Sequence, residues 1–373
     1  MFVLESDLRT IHLNFQLQFP SLLIAQLPEG LSAQPEHFRL RSSLEELTDE
    51  AFGMPILEWL EGIQLALANR RQDILHFFTP NFSFPGVLCR LVPLEEAQGD
   101  PAAWFELLQA KSDADFRQAL LLAAWPDGQD FEPEFVDDAG NSLHFTDVEQ
   151  LASYLETEPF VLAAYLRQAG LEPGEAWTLQ SLIEKPKPAL QAFIALIQSF
   201  EFVSEAIVGS IESEAIRCLA DHLGYLETRL GSDVRSRAQN VEEPIPVCPS
   251  LQPFACRWQQ GRPGKQRLEI GFALPLYFQA LEEMKAVERE ENNAFCQTLA
   301  DPTRYKLCCL LAQGPQKQKD LAESLQVSQA TVSHHISQLK ESGLIAEDKN
   351  GGLMVDVIRQ KLNGVARDLR IYG

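Results

Sequence analysis

A chain of 373 residues, 45% hydrophobic and 23% charged, has room for two or three domains around a large core and the composition of an ordinary soluble protein. Its longest apolar runs, such as Ala119 to Trp125, fall short of a membrane span. Met1 to Thr10 is acidic rather than a basic, apolar signal, and seven scattered cysteines argue for reduced thiols, so the expectation is a cytoplasmic protein without membrane or disulfide framework. The net charge of −22 opposes approach to a polyanion, yet it is unevenly held: residues 1–290 carry 21 Lys+Arg against 44 Asp+Glu, whereas residues 291–373 carry 10 against 9.

Ile11, Leu13, Phe15, Leu17 and Phe19 alternate with His12, Asn14, Gln16 and Gln18, which predicts a strand closed by Pro20 with His12 on its solvated face. From Ser42 to Arg70 the spacing is helical, with Leu44, Leu47 and Phe52 before Pro55 and Ile56, Leu60, Ile63 and Leu67 after it. Within Asp73 to Leu91, the run HFFTPNFSFPGV reads either as a buried loop anchored by aromatics or as the wall of an apolar ligand pocket. Trp104 to Trp125 is helical. Asp127 to Asp138 holds six acids but not the alternating oxygen ligands of a calcium loop, and Phe135 to Phe145 reads as a hairpin turning at Asp137 to Asn141.

Val148 to Leu230 predicts four or five helices, broken at Pro159, at Gly170 to Pro173 and at Pro186 to Pro188. Cys218 and His222 stand one helical turn apart, but two ligands do not make a metal site, so they are assigned to the core or its edge. Gly231 to Pro253 is polar and Pro-rich and reads as loop. Arg257, Trp258, Arg262, Lys265 and Arg267 then form a basic patch on a predicted solvated hairpin face, with an anion contact as the alternative. Leu276 to Ala300 is helical throughout, with Leu281, Met284, Val287, Ala294 and Phe295 along one side, and reads as a connector that ends as the first helix of a last domain.

In that last domain, Asp301-Pro302 opens a helix whose buried side is Leu307, Cys308 and Leu311, with Cys309 nearer the surface, and Gly314-Pro315 ends it. Asp320 to Leu325 is a second, short helix, and only Gln326 and Val327 separate it from Ser328, a helix-turn-helix spacing. Ser328 is the expected N-cap and Gly343 the stop of a third helix with Val332, Ile336 and Leu339 inward. Opposite them lie Ala330, His334, Ser337, Gln338 and Glu341, with Thr331 and Ser333 on the flanks: a small, polar face able to enter a DNA major groove. Leu344 to Ala346 and Leu353 to Val357, around Asn350-Gly351-Gly352, complete a two-stranded wing.

LADPTRYKLCCLL and DLAESLQVSQATVSHHISQLKESGLI together resemble the arsenic-repressor (ArsR/SmtB) family of bacterial regulators, over about 80 of the 373 residues. The resemblance implies a dimeric DNA-binding domain with Ser328 to Lys340 as its reading element. The candidate DNA-binding residues are Ser328, Gln329, Thr331, Ser333, His334, His335, Ser337, Gln338, Lys340 and, on the wing, Lys349. The family's metal chemistry does not carry over. Lys317 and Lys319 stand where its thiolates would, and Ile358 to Leu369 has no His, so neither metal nor cofactor is expected.

The expected fold is mainly α (α+β): a large, mostly helical N-terminal domain with a few strands over residues 1–275, then a connector helix and winged helix-turn-helix over 276–373. The expected partners are double-stranded DNA, a second copy of the chain and an apolar small-molecule effector. No nucleotide-binding Gly loop, HExxH or GxSxG occurs, so no catalytic residues are assigned. An enzyme or a protein-interaction module tethered to the DNA-binding domain is the alternative for the N-terminal part.

Overall fold

A computed structural model describes residues 2–5, 7–28, 31, 38–79, 82–125, 131–136, 142–158, 161–169, 171–237, 244–260, 266–347, 353–355, 362 and 364–366. The architecture is mainly helical with few strands. Strand β1 (Phe2–Leu4) is followed by helices α1 (Leu8–Gln18), α2 (Phe38–Phe52), α3 (Ile56–Leu67), α4 (Arg71–Leu75), α5 (Phe84–Leu91), α6 (Pro101–Gln109) and α7 (Asp113–Ala124). The hairpin β2 (Glu134–Val136) and β3 (Ser142–His144) leads to α8 (Val148–Thr157), α9 (Val161–Gln168), α10 (Pro173–Glu184) and α11 (Pro186–Arg237). Then come β4 (Ile245–Ser250), β5 (Cys256–Gln260), β6 (Gln266–Gly271) and α12 (Leu274–Leu299). The chain ends in α13 (Pro302–Leu311), α14 (Gln318–Leu325), α15 (Gln329–Glu341), β7 (Ile345–Glu347) and β8 (Leu353–Val355). Two compact units result, Met1–Ala280 and Leu281–Gly373.

In the first unit, the alternating stretch predicted as a strand is α1, a correction with a clear cause. Asp7 caps the helix, its carboxylate accepting from the Arg9 backbone N–H at 3.2 Å. The four polar residues then divide into two pairs spaced by four, each on its own side of the helix. His12 places Nδ1 2.9 Å from Glu212 and Nε2 3.1 Å from Glu205, and the Gln16 amide also donates to Glu205. Asn14 and Gln18 face the other way, donating to the Pro249 carbonyl and the Glu269 carboxylate. A helix enclosed on most sides has no solvent face for the polar residues to mark, so alternation loses its meaning. His12 is accordingly clamped between carboxylates rather than solvated.

Burial by itself would lower the His12 pKa, but the hydrogen-bonded carboxylates of Glu212 and Glu205 outweigh it and leave it raised above 6.5. A raised folded value means that the clamp contributes fully below about pH 6.5 and fades as pH rises through that higher value. The unfolding midpoint of this unit should therefore fall between neutral and mildly alkaline pH by more in the parent than in His12→Gln. Equal pH profiles in denaturant titrations would refute this.

The Pro-rich stretch expected to be loop holds β4, the second strand of the sheet β1-β4-β6-β5, with β1, β4 and β6 parallel and β5 antiparallel. Its two prolines sit where pairing leaves room. The Val247 carbonyl accepts from Glu5 N–H, so alternate residues from Val247 face β1; Pro249 lies past β1's paired span, and its carbonyl is taken by Asn14 instead. Pro246 faces the other side, one residue before pairing with β6 begins. Gly271 ends β6 beneath the turn between β4 and β5, where an added Cβ would lie 2.3 Å from the Gln252 carbonyl oxygen, so no larger residue fits. Of the basic patch, Arg257 and Trp258 lie on β5 and Arg267 on β6, which pair antiparallel. Arg267, however, is paired with Glu95, its pKa raised against the cost of burial, and Arg262 and Lys265 lie outside the described residues.

Several helices of this unit follow their predicted breaks: α2 ends before Pro55, and α8 to α11 occupy the stretch Val148 to Leu230 where four or five were expected, with α11 running on to Arg237. Trp104 to Trp125, read as helical, is divided into α6 and α7 by the Ser112 cap. The 52-residue α11 is long and apolar enough, by length and composition, to cross a membrane, which the sequence reading did not foresee. Its Phe193, Leu196, Val208, Ile211, Ala215 and Leu219 nevertheless belong to the core, while Phe202 is 88% exposed. Of the two readings of the Phe-rich stretch, the buried aromatic anchor is the one observed. Phe77, Phe78 and Phe84 pack on Phe193 of α11 with ring centroids 5.4, 6.3 and 5.4 Å away, and all four are buried. Cys218 is buried and His222 Nδ1 faces the Cys218 carbonyl at 2.8 Å, a contact along one helix.

Candidate nucleic-acid interface

The second unit is built on local signals. Asp301 caps α13, accepting from the backbone N–H groups of Thr303 and Arg304, both at 2.9 Å, and the Arg304 hydrogen bond holds its carboxyl below the usual range. Leu307, Cys308 and Leu311 of α13, Leu321 and Ala322 of α14, and Val332, Ile336 and Leu339 of α15 close one core together with Phe295, Leu344, Ile345 and Leu353. Burial pushes the Cys308 thiol up to about 11, as befits a core residue, and its neighbour Cys309 is exposed. Between α14 and α15, Gln326 takes a left-handed φ of 56°, and Gly343 takes φ 68° after α15. The wing strands pair antiparallel from Ile345↔Val355 to Glu347↔Leu353, and Gln316 adds a bridge to Leu353 that the sequence did not announce.

From Leu281 onward on α12 the buried residues are Asn292 and Phe295, whereas Val287 and Ala294, predicted on the same side as Phe295, are exposed. Gly364 comes so close to Asn292 that an added Cβ would sit 2.9 Å from its side-chain oxygen. Val365 packs on the core, while Ile358 and Leu369 lie outside the described residues.

The ten candidate contact residues fall into three groups. Ser328, Gln329, Thr331, Ser333, His334, Ser337 and Lys340 are exposed on α15 or at its start, with Ala330 and Glu341. Ser328 is also the N-cap, its hydroxyl accepting from Thr331 N–H at 3.0 Å and bonded to the Thr331 hydroxyl at 2.8 Å. His335 and Gln338 form the second group, half-buried and turned toward the start of α13. His335 Nδ1 lies 3.9 Å from the Asp301 carboxylate and makes no hydrogen bond among the described residues. The Gln338 side-chain oxygen accepts from Arg304 Nη1 at 2.6 Å. Lys349 lies outside the described residues.

Arg304 is the residue that the sequence reading missed. Its guanidinium reaches three acceptors on two helices: Gln338 of α15 and the carbonyls of Thr298 and Gln297 in the last turn of α12. Wheel geometry describes one helix at a time, and this junction belongs to three.

No metal arrangement of three His, Cys, Asp or Glu side chains is gathered among the described residues, and Lys317 and Lys319 are exposed at the start of α14. In the first unit, a cavity of about 240 Å³ is lined by Ile24, Gln26, Thr79, Gln252, Phe254 and Arg257 among others. Among the described residues of the Phe-rich stretch only Thr79 reaches it, and its wall is mixed, with Ala25, Ala255 and Cys256 beside the polar groups.

The sequence of residues 301–347, which forms α13, α14, the capped, small-faced α15 and the first wing strand, matches the family model described as bacterial regulatory protein, arsR family. These residues are an arsR-family helix-turn-helix domain. The arsR-type domain is similar to the transcriptional repressor SdpR of Bacillus subtilis (strain 168), 37% identical over 60 residues, which is 16% of this chain and 66% of that protein. It is similar to the arsenical resistance operon repressor of Staphylococcus xylosus, 37% identical over 62 residues, 17% of this chain and 60% of the relative. The HTH-type transcriptional regulator NmtR of Mycobacterium tuberculosis (strain ATCC 25618 / H37Rv) is 37% identical over 59 residues, 16% of this chain and 49% of its own length. The chain thus spans between about half and two thirds of these relatives' lengths. No solved structure matches it significantly.

Proposed function

We propose that this protein is a cytoplasmic, sequence-specific DNA-binding repressor of transcription that acts as a homodimer and reads its operator with α15. The observation that carries the reading is the face of α15: Ser333, His334 and Ser337 are exposed, short and polar, while Val332, Ile336 and Leu339 are buried. Such a face admits the helix to the major groove and brings donors and acceptors to base edges. The similarity to proteins named as repressors supports the sign of regulation. Two large apolar side chains support dimerisation, Val287 at 47% and Leu362 at 50% exposure in the arsR-type unit. Two symmetric half-sites would then lie about one DNA turn apart, or a multiple of it. The Met1–Ala280 unit is assigned a sensing or assembly role whose signal is not a metal.

Selection of bound sequences from random DNA with the full-length protein should enrich a palindrome. His334→Ala should leave thermal stability unchanged while discrimination against wrong bases falls by about 1–3 kcal/mol per lost contact. A monomer in light scattering that still binds DNA tightly would refute the dimer. Unaltered discrimination in His334→Ala would remove that residue from the reading face.

A further inference from the structure

Gln338 is the one long amide in the C-terminal half of α15, and its neighbourhood restricts what it can offer to a base. Guanidinium groups carry five N–H donors and no acceptor, so the atom facing Arg304 Nη1 at 2.6 Å must be the Gln338 oxygen. Arg304 is itself held. Its Nε donates to the Thr298 carbonyl and Nη2 to the Gln297 carbonyl at 3.4 Å, two acceptors left open at the end of α12. Its backbone N–H is fixed by the Asp301 cap. The fork therefore cannot follow Gln338 if the amide turns, and because the guanidinium never loses its charge, the constraint holds at any working pH.

We infer that Arg304 is a positioning residue that sets the base preference of Gln338, an inference resting on the DNA-reading role proposed above for α15. With its oxygen held inward, Gln338 offers the groove its Nε2 donors alone. A glutamine reads adenine bidentately only if its oxygen accepts from adenine N6 while its nitrogen donates to N7. Arg304 removes the first half of that pair. The base facing Gln338 is then read through acceptors: guanine N7 and O6, or thymine O4. Adenine keeps N7 as a single acceptor beside its N6 amino donor, and cytosine presents its N4 donor alone, so both are disfavoured.

The test uses the full-length protein and the sequence it selects from random DNA, with every base pair of that sequence replaced in turn. At one base pair per half-site the parent should prefer guanine or thymine over adenine and cytosine by roughly tenfold. Gln338→Ala should abolish that preference at the same base pair only. Gln338→Glu keeps the Arg304 partner but exposes an acceptor, and should move the preference to cytosine, whose N4 is a donor. Arg304→Met frees the amide to turn and should raise affinity for adenine there; a merely structural role for Arg304 would weaken all sequences alike. Should Arg304→Met fail to fold, the two Gln338 variants decide the matter by themselves. The inference is overturned if Gln338→Ala leaves every base preference intact, if the parent prefers adenine at the affected base pair, or if Gln338→Glu keeps the parental preference. If the parent enriches no sequence at all, the DNA-reading function itself falls, a result distinct from those three.

Discussion

Phe193→Ala is expected to lower the stability of the Met1–Ala280 unit by about 3–5 kcal/mol, the usual range for removing a buried aromatic ring. Phe193 is fully buried on α11 and touches the rings of Phe77, Phe78 and Phe84, with edge-to-face geometry to Phe77 and Phe84 at interplanar angles of 65° and 80°. Its loss removes transferred apolar area and three ring contacts at once, and the surrounding helices can collapse only in part. A domain is typically stable by only about 5–15 kcal/mol, so the loss is a large fraction of the whole. Urea titration followed by tryptophan fluorescence, in a unit that holds Trp59 and Trp104, measures it. A change below about 1 kcal/mol would mean that the aromatic cluster is not the anchor described.

The second large effect falls on the arsR-type unit. Ile336→Ala should cost about 2–5 kcal/mol, because Ile336 is 5% exposed and closes a small core with Val332, Leu339, Leu307 and Leu321. A unit of this size has little surplus core to compensate. Both fold and DNA affinity should fall together, in contrast to His334→Ala, where only discrimination falls. Hydrogen exchange across residues 301–347 separates the two cases. If Ile336→Ala keeps parental protection there and parental affinity for the selected DNA, the inward stripe has been misassigned.

The sequence by itself determined the arsR-type domain, because its signals are local. Asp301 and Ser328 cap the helices that follow them, Gly343 takes the left-handed turn after α15, and Val332, Ile336 and Leu339 recur at helical spacing and are buried. A helix-turn-helix joins neighbours in sequence, so each element's caps and stripe are printed within a few residues of where they act. The wing strands and the helices between Val148 and Leu230 were legible for the same reason.

Only the tertiary structure decided the rest, in each case through a partner far along the chain. Residues 11–19 alternate like a strand, and it is Glu205, Glu212, Pro249 and Glu269, roughly two hundred residues away, that take the polar side chains from two sides of a helix. The Pro-rich stretch becomes β4 because β1 and β6 supply pairing where Pro246 and Pro249 do not need to donate. The Phe-rich stretch becomes core rather than pocket because Phe193 fills the space between its rings. Gln338, outward on any helical wheel, is turned by Arg304. Periodicity records how much of a helix or strand is covered, not what covers it, and a polar side chain inside a protein goes where its hydrogen-bond partner stands.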